Sequence, residues 1–223
     1  MNIVFKKKED HFIFLKNGTL IQGSKKKPLT ALNIEHAKSI IKELKKEISK
    51  DPYSILNLSL FSSNLDSNAR NEIIVNILDN LDNDIILYRF FDDENLIKLM
   101  NKNYSNLITD FNKTFKIKLW LVKKLFEIKK IDKCKKLKFE EYLLSLNNFY
   151  ITAFFKLIGI TKSVILSYYF LNNEVKYKKL FNLMNLESKL QQNQWGYVDE
   201  QKKIDEDCLC SLKKISIFLK NIS

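Results

Sequence analysis

The sequence predicts an α+β fold, with a small β-containing part over residues 1–92 and a larger, mostly helical part over 93–223. Three observations carry this expectation. Gly (4) and Pro (2) are scarce in 223 residues, which favours long helices and few tight turns. Asn17-Gly18 sits between apolar runs near the N-terminus, a strong short-range hairpin signal. From Phe139 onward, apolar residues recur at helical spacing to the end of the chain.

Along the chain, Phe12, Phe14, Leu20 and Ile21 flank Lys16-Asn17-Gly18-Thr19 and predict two paired strands. Gly23 to Lys27 reads as a basic loop with Lys25, Lys26 and Lys27 solvated, and Pro28-Leu29 opens a short extended piece. Asn33 is a good N-cap. Behind it Ile34, Ala37, Ile41, Leu44 and Ile48 mark an amphipathic helix with Lys42, Lys45 and Lys46 on its wet side, ended by Asp51-Pro52. Residues 55–66 read as an irregular apolar stretch. A helix is expected from Asn68 to Leu81, with Ile73, Ile74, Ile77, Leu78 and Leu81 inward. Asp84 to Phe90 reads as a short strand or extended segment, followed by separate helices over 93–102 and 104–114. The alternation of Phe115, Ile117, Leu119 and Leu121 with Lys116, Lys118 and Trp120 predicts one more strand. The last helix places Ile204, Cys208, Ile215 and Leu219 on one face.

The stretch Phe149 to Phe170 is long enough to span a bilayer. It carries Lys156 and Lys162 in its interior, each costing ~2.5–3.5 kcal/mol at a membrane centre. It is therefore read as a buried helix or helix pair, without stable membrane insertion.

Composition narrows the function. An apolar share of 45% supplies a core, and mean hydropathy is −0.23. The net charge of +12 raises the question of an acidic partner. All but two of the 38 basic residues are lysine, the exceptions being Arg70 and Arg89, whereas nucleic-acid readers favour the planar Arg fork. The abundance of Lys, Asn and Ile also matches an AT-rich coding sequence. Solvated lysine faces account for most of the charge on this reading, with capture of an acidic partner as the lesser one. Cys134, Cys208 and Cys210 form no disulfide framework and fit a reducing compartment. Cys208-Leu209-Cys210 is neither a metal nor a redox spacing, and His11 and His36 lie far apart. No catalytic residue, metal site or cofactor is expected. The N-terminus lacks the features of a signal or transit peptide, so the expected compartment is cytoplasmic.

The run Leu186 to Gly196 is the most informative: one acid and four amides on a helical stretch that ends in Trp-Gly. Two readings are open. Trp195 anchors a partner at the end of a polar face formed by Glu187, Gln191 and Gln194. Or Trp195 fills a core gap between the last two helices, and Gly196 is its left-handed cap.

Taken together these segments resemble the F1-ATPase α-subunit assembly chaperone family of mitochondria and alphaproteobacteria, in the same order over nearly the whole chain. Asn17-Gly18-Thr19-Leu20 and Pro28-Leu29-Thr30-Ala31-Leu32 match its hairpin and the following "PLALP" segment, with Asn33 at the second proline. Glu43 matches a Glu-Trp pair whose Trp is Leu44 here. Leu60, Ser62, Ser63 and Asp66 fit the spacing of "LxNTxxD", and Asp82 to Arg89 matches "DTDxxCYR". Tyr104 stands where Trp-Asp-Pro is usual. Thr161, Ser163, Val164 and Leu166 match "TxSxVL", and Leu186, Glu187, Gln191, Trp195 and Gly196 match "LExxxQxxxWG".

The resemblance implies a monomeric, cofactor-free, non-enzymatic chaperone whose client is the free α subunit of ATP synthase F1, held until it pairs with β. In a processed eukaryotic member the compartment would be the mitochondrial matrix. Glu187, Gln191, Gln194, Trp195 and Gly196 become the partner-binding candidates. Asp84, Tyr88 and Arg89 are assigned to tying a sheet to a helix, and Thr161 and Ser163 to close helix packing. No nucleic-acid partner is expected. The alternative is a basic helical nucleic-acid-binding module, for which Lys116-Ile-Lys-Leu-Trp120 is the one basic-aromatic candidate.

Overall fold

Strands β1 (Ile3–Lys8) and β2 (His11–Lys16) pair antiparallel from Ile3↔Lys16 to Lys8↔His11. This pairing turns on Glu9-Asp10, with Glu9 at φ 54, where nothing in the sequence announces a hairpin. The Asn17-Gly18 turn forms as expected: both residues have positive φ (49 and 84), the pattern of a type I′ turn, and lead into β3 (Thr19–Leu20). β4 (Thr30–Ala31) pairs with β2 through Phe12↔Ala31. The computed structural model describes residues 2–46, 50–124 and 130–223, so Ile48 lies outside the described residues.

The basic loop differs from the solvated turn expected. Lys25 N–H donates to Asn64 Oδ1 (3.0 Å), its ammonium meets Asp66, and Lys27 Nζ donates to Leu65 O (2.9 Å). A Cβ at Gly23 would stand 1.7 Å from Asn64 Nδ2, so any larger residue there must displace the Asn64 side chain from Lys25 N and Leu60 O. Lys25 and Lys26 stay exposed, and Lys27 is half-buried.

Helix α1 (Ile34–Leu44) is capped by Asn33, whose side chain accepts from His36 N (2.8 Å). It buries His36, Ala37 and Ile40, while Ile34 is exposed. Together with Phe14, Leu29, Ala31 and Leu56 these apolar residues make a small core under the sheet.

Residues 55–64 form a regular helix, α2 (Ile55–Asn64), where an irregular stretch was expected. Its period is hidden because it is packed on several sides, burying Leu56, Leu58, Ser59, Ser62 and Asn64. Ser59, Ser62, Ser63 and Asn64 each return a donor to the carbonyl four residues back. The Glu43 carboxylate accepts from Ile55 N and Leu56 N at its start. Helix α3 (Ser67–Asn80), capped by Asp66, points Ile73, Ile74, Ile77 and Leu78 inward as expected.

Two expected strands are absent. Ile85–Leu87 is a 3-10 turn, and the 117–122 segment meets it through the single parallel bridge Tyr88↔Val122. The two helices expected over 93–114 are one, α4 (Glu94–Phe115), with Leu96, Met100, Tyr104, Ile108, Phe111 and Phe115 as its buried stripe. Asn101 and Lys102 are exposed, so the polar run does not break it.

Helices α5 (Leu137–Ser145), α6 (Asn148–Thr161), α7 (Val164–Leu171), α8 (Tyr177–Met184), α9 (Leu186–Trp195) and α10 (Asp199–Ile222) complete the α+β fold. The Phe149–Phe170 stretch is the helix pair α6–α7, turned by Lys162 at φ 55. α6 packs against α2, α3, α7 and α10, and the main core runs from Leu58 through Phe154 to Ile222. Among the described residues no helix is long and apolar enough to cross a membrane.

Candidate partner-binding site

Helix α9 leans on the core through Leu186 and Leu190, which are partly buried, and packs against α4. Tyr104 of α4 donates its hydroxyl to Leu183 O (2.5 Å), fixing the end of α8 from which α9 departs. Burial raises the Tyr104 phenol well above its ordinary value, so it stays a donor.

Glu187 Oε1 accepts from Gln191 Nε2 (3.3 Å), the i, i+4 pair that one shared face requires. Gln191 and Gln194 are exposed. Trp195 is 78% exposed, so it fills no gap between α9 and α10. Gly196 ends the helix at φ 91, ψ 168, with its N–H on Gln192 O (2.9 Å). The backbone there is the extended positive-φ basin rather than the left-handed helical one expected, and that basin is essentially restricted to glycine.

The chain leaves this turn with further apolar groups outside: Tyr197 (43% exposed), Val198 (66%) and Ile204 (60%). The face that carries Ile204 is buried only in the second half of α10, where Leu212, Ile215, Phe218, Leu219 and Ile222 are inside. Cys208 is intermediate. Asp205 ties the turn together: it accepts from Tyr197 Oη (2.7 Å), Gln201 Nε2 (2.8 Å) and Gln192 Nε2 (3.4 Å). That hydrogen bond, above all, pushes the Tyr197 phenol up to about 12. Tyr197, Val198 and Asp205 were missed from the sequence. Their only signal is an apolar pair after Trp-Gly, off the helical period.

The second set of motif residues lies inside. Asp84 is fully buried; it accepts from Ile86 N (3.1 Å) and from Ile165 N (2.9 Å) at the start of α7. Desolvation pushes its carboxyl up to about 6, opposed by these hydrogen bonds and by Ser163. Arg89 donates to Ile86 O (2.8 Å), Tyr88 O (2.7 Å) and Asn101 Oδ1 (2.8 Å), with its guanidinium 5.5 Å from the Tyr104 ring centroid. Tyr88 contributes backbone to the Val122 bridge and packs its ring edge-on to Phe90 (5.3 Å). Ser163 caps α7 through Leu166 N (3.0 Å), and Thr161 Oγ1 joins Ser163 N (3.1 Å) and Ser167 Oγ (2.8 Å). These polar groups are engaged with helix ends and turns rather than displayed.

Both arginines act this way. Arg70 of α3 reaches the α5–α6 turn, where its fork donates to Leu144 O (3.0 Å), Leu146 O (2.6 Å) and Asn148 Oδ1 (2.9 Å). The basic-aromatic candidate leaves Lys116 and Lys118 exposed and Trp120 37% exposed, with Ile117 and Leu119 buried. Among the described residues no group of three or more His, Cys, Asp or Glu is arranged to hold a metal ion. His36 is buried against Ser59 Oγ (2.8 Å), edge-on to Phe149 and Phe218, and Cys134 is exposed.

No protein-family model and no curated protein matches the sequence. Solved structures do match in three dimensions. Atp12 from Paracoccus denitrificans superposes with a TM-score of 0.86 at 17% identity, covering 100% of this chain and 97% of that one. The D202K mutant of P. denitrificans Atp12p has the same score and identity, with 96% of its chain covered. The Atu1473 protein of Agrobacterium tumefaciens also scores 0.86 at 17% identity, with 84% covered. Over its whole length, then, this chain is built on the fold that Atp12 has.

Proposed function

We propose that this protein is a non-enzymatic chaperone of ATP synthase assembly, which binds the free F1 α subunit and keeps it from aggregating until β takes its place. The observation that carries the reading is Trp195, exposed beside Tyr197 and Val198 at the α9–α10 turn of an Atp12 fold. A lone α subunit exposes surface meant for its neighbours, and such apolar patches aggregate. A protein that covers one stabilises the soluble state by mass action. An exposed indole flanked by amides suits that task, because it buries a large area while Gln191 and Gln194 bond without a charge to desolvate. The chaperone acts as a monomer, in the cytoplasm or the mitochondrial matrix.

The test is co-expression with the cognate α subunit, without β, followed by size exclusion at moderate salt. The expected result is a soluble complex, lost in the Trp195→Ala, Gln191→Ala double variant. Aggregated α, with this chain eluting alone or with nucleic acid, refutes the reading and favours the basic nucleic-acid module.

A further inference from the structure

Helix α9 is held on two flanks, and the strip between them faces outward. Glu187, Gln191 and Trp195 follow one another at i, i+4 and i+8, which puts them in one line along the helix. On one flank Leu186 and Leu190 pack on the core. Gln192 lies about 200° around the helix from Leu190. It ties the other flank to α10, where its Nε2 donates to Asp205 (3.4 Å). The same carboxylate accepts from Tyr197 Oη in the turn (2.7 Å) and from Gln201 Nε2 four residues back on α10 (2.8 Å). Lys202, paired with Asp199 (2.8 Å), stands 5.6 Å from the centroid of the Tyr197 ring. Both the hydroxyl and the ring of Tyr197 are therefore engaged. A single residue, Gly196, separates Tyr197 from Trp195, so fixing the one limits the other.

These bonds bury little. Trp195, Tyr197 and Val198 stay exposed, and hydrogen bonds open to water add little net stability. Their consequence is order: three elements that meet at one carboxylate cannot move independently. A surface ordered in advance escapes the entropy cost of being ordered on binding. We infer that Asp205 is a positioning residue for the partner face: it clamps α9, the Gly196 turn and α10 together, so that Trp195 is presented in one fixed arrangement before the client arrives. This rests on the chaperone reading above.

The test uses the full chain. Asp205→Ala removes the shared acceptor. Tyr197→Phe removes one donor and leaves the ring and the carboxylate in place. Adding Trp120→Phe to each makes Trp195 the sole indole, so the decay of its fluorescence anisotropy reports how freely it turns. We expect both variants to keep the wild-type urea midpoint and to free Trp195, seen as a larger fast component in the decay. Each is then co-expressed with wild type against limiting α. Recovery on α should fall about fivefold below wild type for Asp205→Ala and about threefold for Tyr197→Phe, the cost of ordering one or two side chains on binding. An unchanged decay overturns the inference, and so does even competition for α. Loss of α by Asp205→Ala alone, with Tyr197→Phe competing evenly, also overturns it and makes the carboxylate a direct client contact. If Asp205→Ala lowers the urea midpoint, Tyr197→Phe decides. Under each of these outcomes the chaperone reading stands as long as Trp195→Ala loses α. If the wild-type chain leaves α insoluble, that reading falls and takes this one with it.

Discussion

The Asp84–Arg89 cluster and the α9–α10 turn are built from similar materials, and fold into opposite circumstances. Each has an acid, an aromatic ring and side-chain donors within a short stretch. In the first, Asp84 and Arg89 are buried and bonded to backbone groups at the 3-10 turn and the start of α7. In the second, Trp195 and Val198 are outside, and the one well-connected acid, Asp205, holds the turn's own side chains. The difference lies in the environment: a buried helix start leaves N–H groups that need acceptors, whereas a helix end leaving the core has no such claim on its side chains.

The comparison breaks first at Asp84. Asp84→Ala leaves Ile86 N and Ile165 N without their acceptor inside the core and should cost about 4 kcal/mol, read as a lowered urea midpoint. A loss under ~1 kcal/mol would mean that water replaces the carboxylate and that the cluster is not structural.

Acid titration sharpens the same contrast, through two groups of opposite sign. Burial holds His36 down at about 4, against an ordinary 6.5. Between those values the unfolded chain binds the extra proton, so this contribution is complete above 6.5 and is lost as pH falls through about 4. Asp84 is held up at about 6, against 3.8. Here the folded chain keeps the proton, so its contribution is complete below 3.8 and is lost as pH rises through about 6. Each slope is worth about 3 kcal/mol, and in the wild type they nearly cancel. Asp84→Asn should unmask stability that rises with pH, and His36→Gln stability that falls. Flat profiles for both variants would remove the buried titration from the account. The Tyr197 phenol, at about 12, adds no slope in this range.

Much of this was legible in the sequence, for identifiable reasons. The Asn17-Gly18 turn, the Asn33 cap and the inward face of α3 follow from local rules that tertiary packing did not override. α2 was not legible, because burial on several sides erases the period and its serines look like loop residues until each is seen bonded four residues back. Segment 84–90 is a short apolar run that reads as extended, but the Asp84 side chain on Ile86 N caps a 3-10 turn over Ile85–Leu87. At the candidate site, the Glu187–Gln191 pairing was readable as a spacing. Whether Trp195 faced in or out was not, since that depends on where α10 meets the core, near Cys208 and beyond.

Arg70 tests whether the inner role extends beyond the motif. Arg70→Lys keeps the charge and loses the fork that serves Leu144 O and Leu146 O. About 2 kcal/mol should be lost, seen as a lower thermal midpoint with client binding intact. A change within ~0.5 kcal/mol would show that solvent serves the α5–α6 turn equally well.

The smallest effect on stability belongs to Trp195, and it separates the two regions most directly. With 78% of its surface already in water, the indole has little apolar area to lose. Trp195→Ala should therefore move the unfolding free energy by less than ~0.5 kcal/mol, even though truncating a buried Trp costs ~3–5 kcal/mol. The same variant should lose most of its capacity to keep α soluble, since an anchor contributes only when a partner covers it. A loss of ~2 kcal/mol or more would mean that the ring packs between α9 and α10 in solution, and the turn would then join Asp84 and Arg89 as part of the scaffold. Unchanged stability together with unchanged client solubility would instead leave Trp195 without a role in holding the client.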